Sequence, residues 1–336
     1  MAGKNDCYDL VFRALSSGAE VTLSSVIGGF LLSLELENRT AATLTYNRKI
    51  LKNFQWYCDQ NELPTDLKDI NGWHIKNFLA YIQTNPQRWG NPKHSRANKP
   101  AKASTVARYR AVLHCMWNWA IREELTDHNP VDKTRPPKME SRIIEPLNDA
   151  EVKALLDACK SGNSENKRRD LAIVLLMLDT GLRASELCGL KLDSWDQSRR
   201  IKVYGKGRKE RWLSLSAYTA KALWDYIQRE RGDSFFDELF LGKEGKPLTW
   251  DALRRLLERR AAEAKIRHIH PHLMRHTFAF NWARAGGPLH ALQTLMGHER
   301  PDMSLKYGRM ASTDAAELHK QYSPIERLNL RFRDKK

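Results

Sequence analysis

The chain has 336 residues, 41% of them hydrophobic, and 56 lysines and arginines against 40 acidic residues, giving a formal net charge of +16. That length supports two packed cores, and that charge asks for a polyanionic partner, nucleic acid before any other. The longest apolar run, residues 171–178, is far too short to cross a bilayer. Five scattered cysteines (Cys7, Cys58, Cys115, Cys159, Cys188) without a C-x-x-C pair argue against a disulfide framework or a zinc site. The polar first residues hold no signal-peptide core, so the expected location is the cytoplasm, with no membrane partner.

Residues 1–20 carry no readable pattern. From 21 to 130 the periodicity is helical. Leu51, Phe54 and Cys58 form a sparse stripe, and Ile75, Phe78, Leu79 and Ile82 a dense one. Val106, Tyr109, Leu113, Met116, Trp117 and Ala120 form a longer one, and aromatic residues on such stripes read as core before they read as a base-stacking platform. Between the second and third helices, residues 85–102 are irregular and basic, with Arg88, Lys93, Arg96, Lys99 and Lys102. They form either a solvated loop or a loop that contacts phosphates.

Residues 131–146 read as a linker, because Pro136, Pro137 and Pro146 alternate with basic side chains. A second domain over 147–323 then opens on Asn148 and Glu151, a capping-box pair ahead of Val152, Leu155, Leu156 and Cys159. Residues 171–178 are apolar all round and predict a helix buried in the second core. Thr180-Gly181 breaks it, and a short helix follows from Arg183. Two strand patterns, 201–204 and 212–215, flank a basic hairpin turn holding Lys206, Arg208 and Lys209. Helical patterns return over 217–229 and 250–264 and run on nearly to 323, before a basic tail over 324–336. The expected fold class is mainly α, with one small antiparallel β-hairpin in the second domain.

The residues suited to chemistry lie in that second domain. Arg183 opens a helix after a glycine break, so backbone N–H groups and a guanidinium could share one anion, although Glu186, three residues on, offers a simple ion pair. Lys206 stands at a hairpin tip, where a lysine can reach a groove and protonate a leaving oxygen. A solvated turn is the plainer reading, and Lys202 and Lys209 are rivals.

His272, Arg275 and His276 share a helix face behind Pro271. Two histidines four apart could bind a metal, or sit satisfied in a core. The arginine between them, with no carboxylate, favours an anion cradle and leaves no metal ligand set. Gly297 ends a helix just before His298, and Tyr307 follows. A phenol ordinarily titrates near 10, so Tyr307 is a nucleophile only where cations or a base assist it, and is otherwise one more core aromatic.

Five motifs in this order resemble the tyrosine recombinase (phage integrase) family, in its XerC/XerD-like or mobile-element branches. They are Thr180-Gly-Leu-Arg183-Ala-Ser-Glu-Leu, Gly205-Lys206-Gly-Arg-Lys-Glu-Arg, His272-Leu-Met-Arg275-His276-Thr, Leu295-Met-Gly-His298, and Tyr307. Residues 21–130 more loosely resemble that family's helical, SAM-like core-binding domain. The resemblance implies a two-domain C-shaped DNA clamp in which Arg183, Arg275, His272 and His298 hold the scissile phosphate. It also implies that Tyr307 attacks to give a 3′-phosphotyrosyl link, and that Lys206 protonates the departing 5′-oxygen.

Glu186 and His276 match supporting positions. No cofactor, metal or ATP is implied. The implied partners are double-stranded DNA with specific recombination sites, three further copies of the chain in a tetramer, and an accessory directionality protein; on DNA the protein would associate with the nucleoid. Residues 311–323 resemble the helix that family members pass to a neighbouring protomer. A type IB topoisomerase-like nicking-closing enzyme and a catalytically silent DNA-binding regulator are the alternatives on this scaffold.

Overall fold

A computed structural model describes residues 21–86, 89, 100–138, 144–161, 165–205, 210–297, 304, 305, 307 and 308. The chain divides into two compact units, Met1–Arg142 and Ile143–Lys336. The expectations for residues 1–20, the tail over 324–336 and the segment 311–323 lie outside the described residues.

The first unit is helical: α1 Leu23–Leu36, α2 Ala41–Gln60, α3 Gly72–Thr84 and α4 Ala103–Arg122. Thr22, Thr40 and Asn71 cap the first three through their side-chain oxygens, each taking an otherwise orphaned N–H. The three stripes read from the sequence are buried, and Phe54, Phe78 and Trp117 meet edge to face at their centre. α4 is the hub, packed by α1, α2 and α3.

Residues 131–134, expected in the linker, pack with this unit. Pro130–Lys133 form a 3-10 turn capped by Asn129, Val131 is buried, and Arg110 donates to the carbonyls of Val131 and Thr134. Pro130 starts that turn.

The second unit holds α5 Asp149–Ser161, α6 Lys167–Thr180, α7 Ala184–Cys188, the hairpin β1 Arg200–Tyr204 and β2 Glu210–Ser214, α8 Ala217–Tyr226, α9 Trp250–Glu263, α10 Pro271–Arg284 and α11 Leu289–Met296. The capping pair forms as read: Asn148 N–H donates to Glu151 at 2.9 Å, and Glu151 N–H donates to Asn148 at 2.8 Å. α6 is apolar all round because α5, α8 and α10 all pack on it. Its one buried acid, Asp170, accepts from Arg169, Arg259 and Arg260, which pins α9 to α6.

The linker is short at this end too. Leu147 is buried, with its N–H on the Thr277 hydroxyl, and the Ile144 carbonyl lies 2.6 Å from His276 Nε2. The strands pair antiparallel from Arg200 opposite Ser214 to Tyr204 opposite Glu210. Ile201, Val203 and Leu213 face the core. Among the described residues no helix is long and apolar enough to cross a membrane.

Candidate active site

The site is built on the C-terminal end of α11. A helix leaves its last carbonyls without partners, and here Gly297 closes the helix in the left-handed region at φ +60°. Three arginines from three other elements take three successive carbonyls. Arg211 Nε donates to Leu295 O at 2.9 Å, Arg275 Nη2 to Met296 O at 2.6 Å, and Arg183 Nη2 to Gly297 O at 2.9 Å. Cations suit the negative end of a helix dipole, so the end of α11 draws the guanidiniums together.

Arg183 precedes α7, as expected, but the anion it meets is internal. Its backbone N–H and its Nη1 both reach the Glu186 carboxylate, each at 2.9 Å. Glu186 is no surface partner, with a side chain only 4% exposed. Burial alone would raise its carboxyl, but the hydrogen bonds from Arg211 and Arg183 outweigh that and hold it below the ordinary carboxylate range.

Arg275 sits in the first turns of α10, which Pro271 opens and His270 caps. It is buried, with Nη1 on Gly181 O at 2.7 Å. Burial, then the charge of Arg183, lowers it to about 10, so it remains protonated at neutral pH. Each guanidinium has five N–H donors, and Arg183 and Arg275 each place two of them on described residues. Among the described residues the remaining donors have no acceptor, and they could face an oxyanion.

Tyr307 packs with Phe278, Leu292 and Met296, and its ring lies 5.1 Å from that of His276. It is therefore a core aromatic by packing and a neighbour of Arg275 by charge. Burial raises its phenol, while Arg275 pulls the other way. The shared face read over His272, Arg275 and His276 splits by depth. Arg275 and His276 are buried, whereas His272 stands exposed at the first turn of α10. His276 is held to Ile144 and Tyr307, an arrangement for support rather than ligation.

Lys202, a rival for the acid role, is paired with Glu210 at 2.9 Å. Lys102 is exposed at the start of α4 in the first unit. Lys206, His298, Arg88, Lys93, Arg96, Lys99, Arg208 and Lys209 lie outside the described residues.

Arg211 was not singled out in the sequence, where it is only the last letter of the hairpin motif. Alternation could have found it: with Leu213 facing the core, Arg211 must face inward too, opposite Val203, and an inward arginine needs a partner.

A mainly helical unit that gathers three guanidiniums on one helix end, with a tyrosine close to one of them, can hold an anion beside a potential nucleophile. Residues 145–313 match the phage integrase family, and residues 31–136 match the phage integrase SAM-like domain. The tyrosine recombinase XerC of Corynebacterium efficiens is 30% identical over 269 residues, 79% of this chain and 83% of that one. The XerC of Halalkalibacterium halodurans is 26% identical over 316 residues, 91% of this chain and 99% of that one. In fold, the chain is similar to the Tn1549 transposon integrase solved in complex with transposon right end DNA. That likeness has a TM-score of 0.69 at 19% identity and covers 92% of this chain and 100% of that one.

The chain belongs to the phage integrase family. Its activity is site-specific DNA recombination through a phosphotyrosyl intermediate.

Proposed function

We propose that Arg183 and Arg275 clamp the scissile phosphate of a double-stranded recombination site while Tyr307 attacks it. The observation that carries this reading is that both guanidiniums are anchored on adjacent carbonyls of one helix end, each with N–H donors that no described residue takes, and Tyr307 follows ten residues later. Attack turns a singly charged diester into a more highly charged transition state, which cations already anchored in place stabilise without reorganising.

His272 and His298 add hydrogen bonds to the same phosphate. Tyr307 Oη gives up its proton to solvent as it forms the bond to phosphorus, the bond from phosphorus to the 5′-oxygen breaks, and Lys206 supplies that oxygen's proton. The products are a 3′-phosphotyrosine and a 5′-hydroxyl. A 5′-hydroxyl from another strand reverses the step, so the phosphoester bond energy is kept and strands are exchanged without hydrolysis. The DNA partner is supported by the relative solved on its transposon end, and by the net charge of +16. We assign the first unit and its basic residues Arg88, Lys93, Arg96, Lys99 and Lys102 to grip the duplex, with Arg208 and Lys209 contacting it from the hairpin. The assembly is a tetramer on paired sites, open to an accessory protein that sets direction.

The test uses a duplex selected by binding from a randomised pool and nicked a few nucleotides 3′ of the cut, so that the released 5′-hydroxyl diffuses away. A covalent adduct should accumulate without ATP and with EDTA present, and Tyr307→Phe should abolish it while the duplex still binds. An adduct that survives Tyr307→Phe would overturn the assignment.

A further inference from the structure

Arg211 is the third guanidinium on the end of α11, but it differs from the other two. Its side chain is 12% exposed, against 35% for Arg183. All three of its nitrogens are committed: Nε to Leu295 O, Nη1 to Glu186 Oε1 at 3.0 Å and Nη2 to Glu186 Oε2 at 2.9 Å. The same two carboxylate oxygens also receive Arg183, one from Nη1 and the other from the backbone N–H. Glu186 therefore sits between two guanidiniums and gives Arg183 one side-chain contact only.

A buried carboxylate with a single cationic partner would take that partner in a two-pronged grip, the preferred geometry for an arginine and a carboxylate. For Arg183 that would withdraw N–H donors from any phosphate, because Glu186 and the phosphate compete for one guanidinium. Arg211 removes the competition by occupying the face of the carboxylate that such a grip would need. It also joins β2 to the end of α11 through Leu295, so β2, Glu186 and the carbonyl row are tied together.

We propose that Arg211 is a positioning residue for strand cleavage, which clamps Glu186 so that Arg183 points its donors at the phosphate. This rests on the reading of Arg183 as a phosphate-holding group. Arg211 itself does not touch the DNA in this scheme. Removing it should slow the chemical step and leave duplex binding nearly unchanged. The loss should also run through Glu186, which separates positioning from general support of the fold.

The experiment measures single-turnover cleavage of the nicked duplex, its Kd and the melting temperature for the full chain and for Arg211→Gln, Glu186→Gln and the double variant. Arg211→Gln should slow cleavage by about 10- to 100-fold, with Kd within about threefold. In the Glu186→Gln background the same change should cost less than about threefold, the non-additivity of two residues acting as a unit. Arg211→Gln should also move the acid limb of the cleavage profile to higher pH, because the buried carboxylate then has one cation fewer; Glu186→Gln should lack that limb.

Losses that multiply independently, or an acid limb that does not move, overturn the proposal. If Arg211→Gln does not fold, Arg211→Lys carries the test: a lysine keeps the charge but cannot clamp both oxygens and reach Leu295. Cleavage by that variant at the full rate overturns the proposal as well. Failure of the parent reading shows separately, as the absence of a Tyr307-dependent adduct with the unaltered chain.

Discussion

Arg183 donates its Nη2 to the carbonyl of Gly297, 114 positions further along the chain, at 2.9 Å. The bond depends on Gly297 adopting φ +60°, which turns its carbonyl to the arginine as α11 ends. An added Cβ would meet Arg211 Nη1 at 3.2 Å and Arg183 Nη1 at 3.5 Å. Gly297→Ala therefore combines backbone strain with pressure on two guanidiniums. The expected cost is about 1–2 kcal/mol of stability, read by urea unfolding, with a cleavage loss larger than that destabilisation explains. Full cleavage activity in the alanine variant would mean that the carbonyl row does not orient the arginines.

Arg275 bridges two helix ends, with Gly181 O closing α6 and Met296 O closing α11. Lysine has one compact charge and cannot span both carbonyls while still presenting donors to a phosphate. Arg275→Lys should lower single-turnover cleavage by roughly 10²- to 10³-fold, the loss typical of a preorganised oxyanion donor. Duplex affinity should fall only a few-fold, since one phosphate contact is a small part of such binding. Near-normal cleavage by the lysine variant would remove Arg275 from the clamp.

The Glu186 carboxyl is held below its ordinary range: burial pushes it up, and the bonds from Arg211 and Arg183 more than reverse that. A depressed folded value means that the ionised form stabilises the fold above the unfolded value near 4.3, and that this stability is lost as pH falls through the folded value. Glu186→Gln should cost about 3 kcal/mol at pH 7, as breaking a buried pair does. The gap between variant and parent should begin to narrow as pH falls past the unfolded value near 4.3 and close as it passes the lower folded value. Denaturant titrations at neutral and acid pH check both halves, and a gap that persists into acid would show that shape, not charge, is what Glu186 contributes.

Local features of this chain were legible because their causes are local. Asn148 and Glu151 are three apart, Pro271 opens its own helix, Gly297 closes one, and residues 171–178 announce burial on every side. The linker pattern over 131–146 overreaches at 131–134, because prolines mark both spacers and helix starts, and Arg110 reaching to Thr134 ties these residues to the first unit. The carbonyl row was invisible for another reason: its acceptors are backbone atoms, identical at every residue, and three distant elements supply its donors. His272 shows the same limit from the other side. Helical spacing places it with Arg275 and His276, but the first turn of α10 is open and leaves it exposed. Residue types and spacings could nominate Arg183 and Arg275, but not what each holds when no phosphate is bound.

As the proposed nucleophile, Tyr307 must lose a proton to attack, and its surroundings do not remove it in advance. Burial raises the phenol above its ordinary value near 10, and the opposing pull of Arg275 is the smaller influence. The free enzyme therefore carries a neutral Tyr307 at physiological pH, and proton loss coincides with arrival of the phosphate. Cleavage should accelerate with pH through the neutral range, until a step other than chemistry limits it. A near-ultraviolet difference titration of the parent chain against Tyr307→Phe should show the phenolate of this residue less than half formed at pH 10. A signal already present near pH 8 would mean that the guanidiniums outweigh burial and that the nucleophile is charged before DNA binds.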